Sequence, residues 1–219
     1  MATKQTHIFK TVGSLSLKVD IFTRSSPTYD PKQPIVLFLH GGGFVVFDRA
    51  SLPPHIVQSC LSRNWPLISA DYRKLPQTNG KEVLQDVKDA YQVVVEKVPE
   101  LLGGGKEERC EKVIVLGQSA GTFLLSSIRK RIHKRMKTDE RNRAYMSLLC
   151  GHYMTPRPVA ILTYHSMPTI SAPYFNSSKI LGPPGAKPML QSQIQAFLDE
   201  PPTVGSTPAA RAFNPACLS

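Results

Sequence analysis

The chain has little that would mark it for a metal, an oxidising compartment or a membrane. Its 219 residues hold four cysteines, Cys60, Cys110, Cys150 and Cys217, spaced so widely that no C-x-x-C pair forms. That excludes the usual zinc and redox motifs and a dense disulfide framework. No apolar run approaches the roughly 20 residues that span a bilayer. The opening, Met1-Ala2-Thr3-Lys4-Gln5-Thr6-His7, leads into alternating sequence rather than the apolar core of a secretory signal. The expectation is a cytoplasmic chain with free thiols, no integral membrane segment, no metal and no cofactor. Acidic residues are also scarce, 16 against 27 Lys and Arg, which leaves a formal net charge of +11. Much of that surplus is local, in Arg129-Lys130-Arg131 through Lys134-Arg135, Lys137, Arg141 and Arg143. Cations at a helix end complement the macrodipole. No nucleic-acid-binding motif accompanies them, so nucleic acid is not expected as a partner.

What is present is an ordinary globular composition, 41% hydrophobic and 20% charged, in a length that suits one sizeable core. Leu15, Leu17, Val19 and Ile21 alternate with polar residues as a half-buried strand does, and residues 6 to 12 should pair with it across Gly13-Ser14. The fully apolar run at 35 to 39 reads as a central parallel strand covered on both faces. Further strands are expected at 66 to 70, 112 to 117 and 159 to 164, the last also buried, with helices at 53 to 63, 81 to 98 and 120 to 136. Alternating strands and helices predict a doubly wound, mostly parallel α/β sheet with an antiparallel N-terminal edge. After residue 183 the chain is punctuated by prolines, with one helical stretch from Met189 to Leu198. The domain is expected to occupy residues 1–199, and residues 200–219 to form a disordered tail.

Two motifs carry chemistry. His40-Gly41-Gly42-Gly43-Phe44 follows the strand at 35 to 39, and Gly117-Gln118-Ser119-Ala120-Gly121 follows the strand at 112 to 117. A glycine on each side of a serine suits a sharp strand-to-helix turn that exposes a nucleophilic hydroxyl, here that of Ser119. By chance alone such a pattern arises in about one chain in ten of this composition, so its position between strand and helix is what gives it weight. The glycine run supplies the complement: backbone N–H groups of Gly41, Gly42 and Gly43, joined by that of Ala120 at the helix start, can face a developing oxyanion.

At these residues the chain resembles the hormone-sensitive-lipase-like branch of the α/β hydrolases, particularly its fungal members. Ser69-Ala70-Asp71-Tyr72-Arg73 matches the family's segment between the motifs, and Thr155-Pro156-Arg157-Pro158 leading to Phe175-Asn176-Ser177-Ser178 is similar to fungal relatives. The resemblance implies a carboxylic ester hydrolase that acts on a small-molecule acyl ester through an acyl-enzyme at Ser119. It implies that His40 supports the glycine loop rather than moving protons, and that Asp71 and Arg73 are architectural. It further implies an acid after the second strand beyond the nucleophile and a histidine after the third. Only one convincing strand follows Ser119, so the domain is expected to be incomplete, lacking its last strands. Asp139, Glu140, Asp199 and Glu200 are the later acids, and His133, His152 and His165 the later histidines; none fits the family's positions. The alternative is a non-catalytic module that binds a small ligand, as the related plant gibberellin receptors do, or an inactive fragment. Oligomeric state is left open by the sequence.

Overall fold

The computed structural model describes residues 2–25, 29–119, 153–164 and 191–207. The alternating stretch at the start forms β1 (Ala2–Val12) and β2 (Leu15–Arg24), paired antiparallel across Gly13-Ser14. Leu17, Val19 and Ile21 are buried, as their period-2 spacing requires. Four short apolar runs follow as β3 (Ile35–Leu39), β4 (Leu67–Ala70), β5 (Val113–Gln118) and β6 (Ala160–Tyr164). The six strands make one sheet in the order β1-β2-β4-β3-β5-β6. Only β1 and β2 run against their neighbours; β3 pairs parallel with both β4 and β5, and β5 with β6.

Helices cover both faces of the centre. Pro53 and Pro54 open α1 (Pro54–Ser62), whose Ile56 and Cys60 pack with Val36, Phe38, Leu67 and Ile114 on one side. On the other side α2 (Gly80–Glu96) lays Val83, Leu84, Val87, Tyr91 and Val94 against Leu37, Leu39, Ile68 and Val115. These α2 residues recur at three- and four-residue steps, so one stripe faces the sheet. The short α3 (Val98–Leu101) continues it, and α4 (Gln191–Leu198) brings Phe197 against Val46.

The order places a topological switch beside β3: the chain leaves β3 for β4 on one side and later returns to β5 on the other. Loops after two such strands diverge and leave a crevice at their carboxyl ends, where open α/β sheets bind ligands. Both motifs begin there.

One expectation is corrected. The strand at 159 to 164 forms, but it is not buried: Val159, Leu162 and Tyr164 are 57%, 53% and 36% exposed. Among the described residues β6 has a neighbour on one side only, so its apolar residues lack the cover that a central parallel strand receives. The helix expected at 120 to 136, the basic segment within and after it, Cys150 and Cys217 lie outside the described residues. Cys60 and Cys110 are buried free thiols.

Candidate active site

Parallel pairing sets the first distance. Leu39 lies opposite Gly117, so the residues just beyond, His40-Gly41 and Gln118-Ser119, leave the sheet side by side. A methyl group on Gly41 would sit 3.0 Å from the Gln118 carbonyl oxygen and 3.2 Å from Ser119 Cβ. The glycine run and the serine are therefore in contact, and a side chain at Gly41 would have to push its neighbours back. Ser119 has a φ of 46°, in the left-handed region that a non-glycine residue enters at a cost of about 1–3 kcal/mol. Its N–H donates to the Tyr164 carbonyl at the end of β6, 2.9 Å away, which holds the strained turn in place.

The glycine loop is a tight coil of its own. Gly42 has a φ of 96°, and a Cβ there would lie 2.2 Å from the Val46 carbonyl oxygen. Its carbonyl accepts from the N–H groups of Val45 and Val46, both at 3.0 Å, which curls the chain back on itself. The N–H groups of Gly42 and Gly43 meet no acceptor among the described residues, although Gly42 is buried. Ala120, expected to add a further N–H, lies outside the described residues, as does Gly121.

Beneath the loop sits a fully buried polar cluster. The His40 ring stacks on Tyr72 with centroids 4.2 Å apart and planes 9° from parallel. Its Nδ1 is 2.8 Å from the Gly41 carbonyl oxygen and 3.2 Å from the Tyr72 hydroxyl. That hydroxyl donates to the His40 carbonyl at 2.7 Å. On the other edge of the ring, His40 Nε2 is 2.9 Å from Nζ of Lys74, whose amine also lies 3.9 Å above the Tyr72 ring. Burial, aided by the neighbouring Lys74 charge, pushes His40 well below the usual imidazole range. It is thus a neutral ring in hydrogen-bond contact with the glycine loop. Burial also lowers Lys74 to about 7, against the pull of Asp71 and Asp48.

The segment after β4 anchors everything around this cluster. Asp71 accepts from the Lys18 N–H at 3.1 Å and from Arg49 Nη1 at 2.9 Å, which ties the strand end to the chain leaving the glycine loop. Arg73 donates to Asp86 of α2 through Nε at 2.8 Å and Nη2 at 3.1 Å. Both side chains are structural pins. From the far end of the chain, the Thr203 carbonyl accepts the Lys74 N–H at 3.0 Å, and Ser206 Oγ accepts the Phe47 N–H at 2.7 Å. Residues 200–207 lie along the loop, and 208–219 are outside the described residues.

The catalytic acid and base are not brought into view. His133, His152, His165, Asp139 and Glu140 all lie outside the described residues. Asp199 accepts from Gln195 and Glu200 from Thr207, so neither reaches Ser119 through a hydrogen bond. No three His, Cys, Asp or Glu side chains cluster as metal ligands among the described residues, and no helix there is long and apolar enough to cross a membrane. Sequence reasoning gave Tyr72 no role and passed over Lys74. A lysine read alone belongs at the surface, and only the apolar strands around this turn hint that it does not.

Known proteins show the same architecture. The chain is 37% identical over 127 residues to a methylphloroacetophenone synthase of Cladonia uncialis, covering 55% of this chain and 5% of that protein. It is 26% identical over 176 residues to a probable carboxylesterase M8 of a Phoma species, covering 75% of this chain and 49% of the other. It therefore spans half or less of the length of these relatives. Among solved structures it is similar to an α/β hydrolase superfamily protein of Enterococcus faecalis (TM-score 0.59, 17% identity), covering 99% of this chain and 66% of that one. Esterase LipW of Mycobacterium marinum gives a TM-score of 0.54 at 18% identity, with 76% of this chain and 44% of that one covered. A family model described as the α/β hydrolase fold matches residues 36–191, from the strand before the glycine loop to the last described helix, and the chain belongs to that family, in its hormone-sensitive-lipase-like branch.

Proposed function

We propose that the chain is a carboxylic ester hydrolase whose nucleophile is Ser119. The observation that carries this is the 3.2 Å approach of a Gly41 methyl position to Ser119 Cβ, which sets the serine beside N–H groups that meet no acceptor among the described residues. In the reaction, Ser119 Oγ attacks the acyl carbon and its proton passes to a base. The carbonyl electron pair moves onto oxygen, where the N–H groups of Gly42 and Gly43, with those of Gly41 and Ala120, stabilise the charge. Collapse of that intermediate expels the alcohol and leaves an acyl-serine that water cleaves. Neither metal nor cofactor takes part in this scheme. The substrate class is a small-molecule acyl ester.

A second reading, a module that binds a small ligand without turnover, rests on the sequence, in which none of the later acids and histidines falls at the family's positions. A fluorophosphonate probe and a short-chain p-nitrophenyl ester separate the two. The hydrolase reading expects labelling and turnover that vanish in Ser119→Ala. Equal, serine-independent behaviour in both proteins would leave the binding module.

A further inference from the structure

We propose that Lys74 is a positioning residue of the glycine loop: its amine, donating to Nε2 of His40, confines that ring to the Nδ1–H tautomer, which clamps the Gly41 carbonyl and turns the Gly42 N–H outward.

Each link is a geometric fact joined to a valence rule. Below about pH 7, where Lys74 is an ammonium with donors and no acceptor, the His40 Nε2 at 2.9 Å from its Nζ must present its lone pair. A neutral imidazole then carries its single proton on Nδ1. That atom is 2.8 Å from the Gly41 carbonyl oxygen, an acceptor only, and 3.2 Å from the Tyr72 hydroxyl. The Tyr72 proton is already spent on the His40 carbonyl at 2.7 Å, so its oxygen is free to accept from Nδ1 as well. The opposite tautomer would set Nδ1 and the Gly41 carbonyl lone pair to lone pair at 2.8 Å, and aim an Nε2–H at the ammonium. The carbonyl of Gly41 and the N–H of Gly42 belong to one trans peptide and point in opposite directions. Holding the carbonyl down on His40 therefore holds the N–H away from the core.

Placing a lysine here is otherwise costly. Its side chain is 1% exposed, among His40, Tyr72 and the chain turning out of β4, and it makes no ion pair with a carboxylate within 4.0 Å among the described residues. Among the described residues, the charges that act on it from neighbouring segments are those of Asp71 and Asp48. An apolar residue of similar length would fill the space without that penalty, but it would leave the Gly41 carbonyl as the one contact biasing the tautomer, with nothing holding Nε2 as an acceptor.

The tautomer lock stands on this geometry with Lys74 protonated, so its test is run below pH 7; its effect on acyl transfer rests on the hydrolase reading. The test is a long-range ¹H–¹⁵N correlation spectrum of the full chain with labelled histidine, His40→Asn serving to assign the ring. It is run beside phosphonate labelling of wild type, Lys74→Met and Lys74→Gln. The expected result is a His40 protonated on Nδ1 in wild type and a loss of that bias in Lys74→Met, with labelling of Ser119 slowed about tenfold or more. In Lys74→Gln, which still offers a donor, both should recover. A wild-type His40 protonated on Nε2 overturns the proposal even if neither variant folds, and so does a Lys74→Met protein that labels at the wild-type rate with its tautomer unchanged. An Nδ1–H ring in a wild-type protein that is never labelled would uphold the lock and remove the hydrolase reading.

Discussion

Gly42 shows how little freedom the glycine loop has. Its φ of 96° and the 2.2 Å that would separate a Cβ from the Val46 carbonyl are two independent penalties on any side chain. Gly42→Ala is expected to cost at least about 2 kcal/mol in urea denaturation and to slow phosphonate labelling of Ser119 by more than the stability loss explains. A variant with wild-type stability would show that the loop is softer than its hydrogen bonds imply. The motif glycines could be read directly from the sequence because turn and close approach call for a residue without a side chain, and Ser119 because it stands between two of them at the end of a strand. Lys74 could not be read in this way. Its role comes from a histidine 34 residues earlier in the chain, in direct contact with it, and a tyrosine ring against which both pack, and no local pattern encodes that meeting.

At the scale of elements, α2 is set by its first turn as much as by its apolar stripe. Asn79 accepts from the N–H groups of Lys81 and Glu82, while the Glu82 carboxylate accepts from the Asn79 N–H at 3.0 Å, a reciprocal capping box. Hydrogen bonding from Thr78 and Asn79 holds the Glu82 carboxyl below its ordinary range. Asn79→Ala should therefore destabilise the fold by about 1 kcal/mol, seen as a lower denaturation midpoint with an unchanged slope. No loss would mean that the cap is redundant with the packing of Val83 and Val87. The strand and helix boundaries near this region were legible because period-2 and period-3.6 patterns are local. The exposure of β6 was not: Val159-Ala160-Ile161-Leu162 reads identically whether or not a further layer covers it, and the number of neighbours a strand has is a property of the sheet.

For the whole molecule, pH dependence follows from Lys74. Its native value of about 7 lies below the 10.5 of an unfolded lysine, so between these limits the unfolded chain binds a proton that the native chain has released. Stability therefore rises with pH across that window and is lost again as pH falls toward 7, with a slope of about 1 kcal/mol per unit once above it. Burial raises Cys60 and Cys110 above 9.0 and raises Tyr29 to about 12, and these groups act in the opposite direction from about pH 9 upward. Chemical denaturation between pH 7 and 9 should show the rise in wild type and a flattened profile in Lys74→Met; parallel profiles would place the titrating group elsewhere.

Ser206 reaches across 159 residues of sequence to hold the Phe47 N–H, and Thr203 does the same for Lys74. The glycine turn is thus guyed from the far end of the polypeptide, like a mast stayed from a distant peg. Clipping the chain near residue 199, or hauling on it through a fused tag, would slacken that turn before any strand of the sheet came loose.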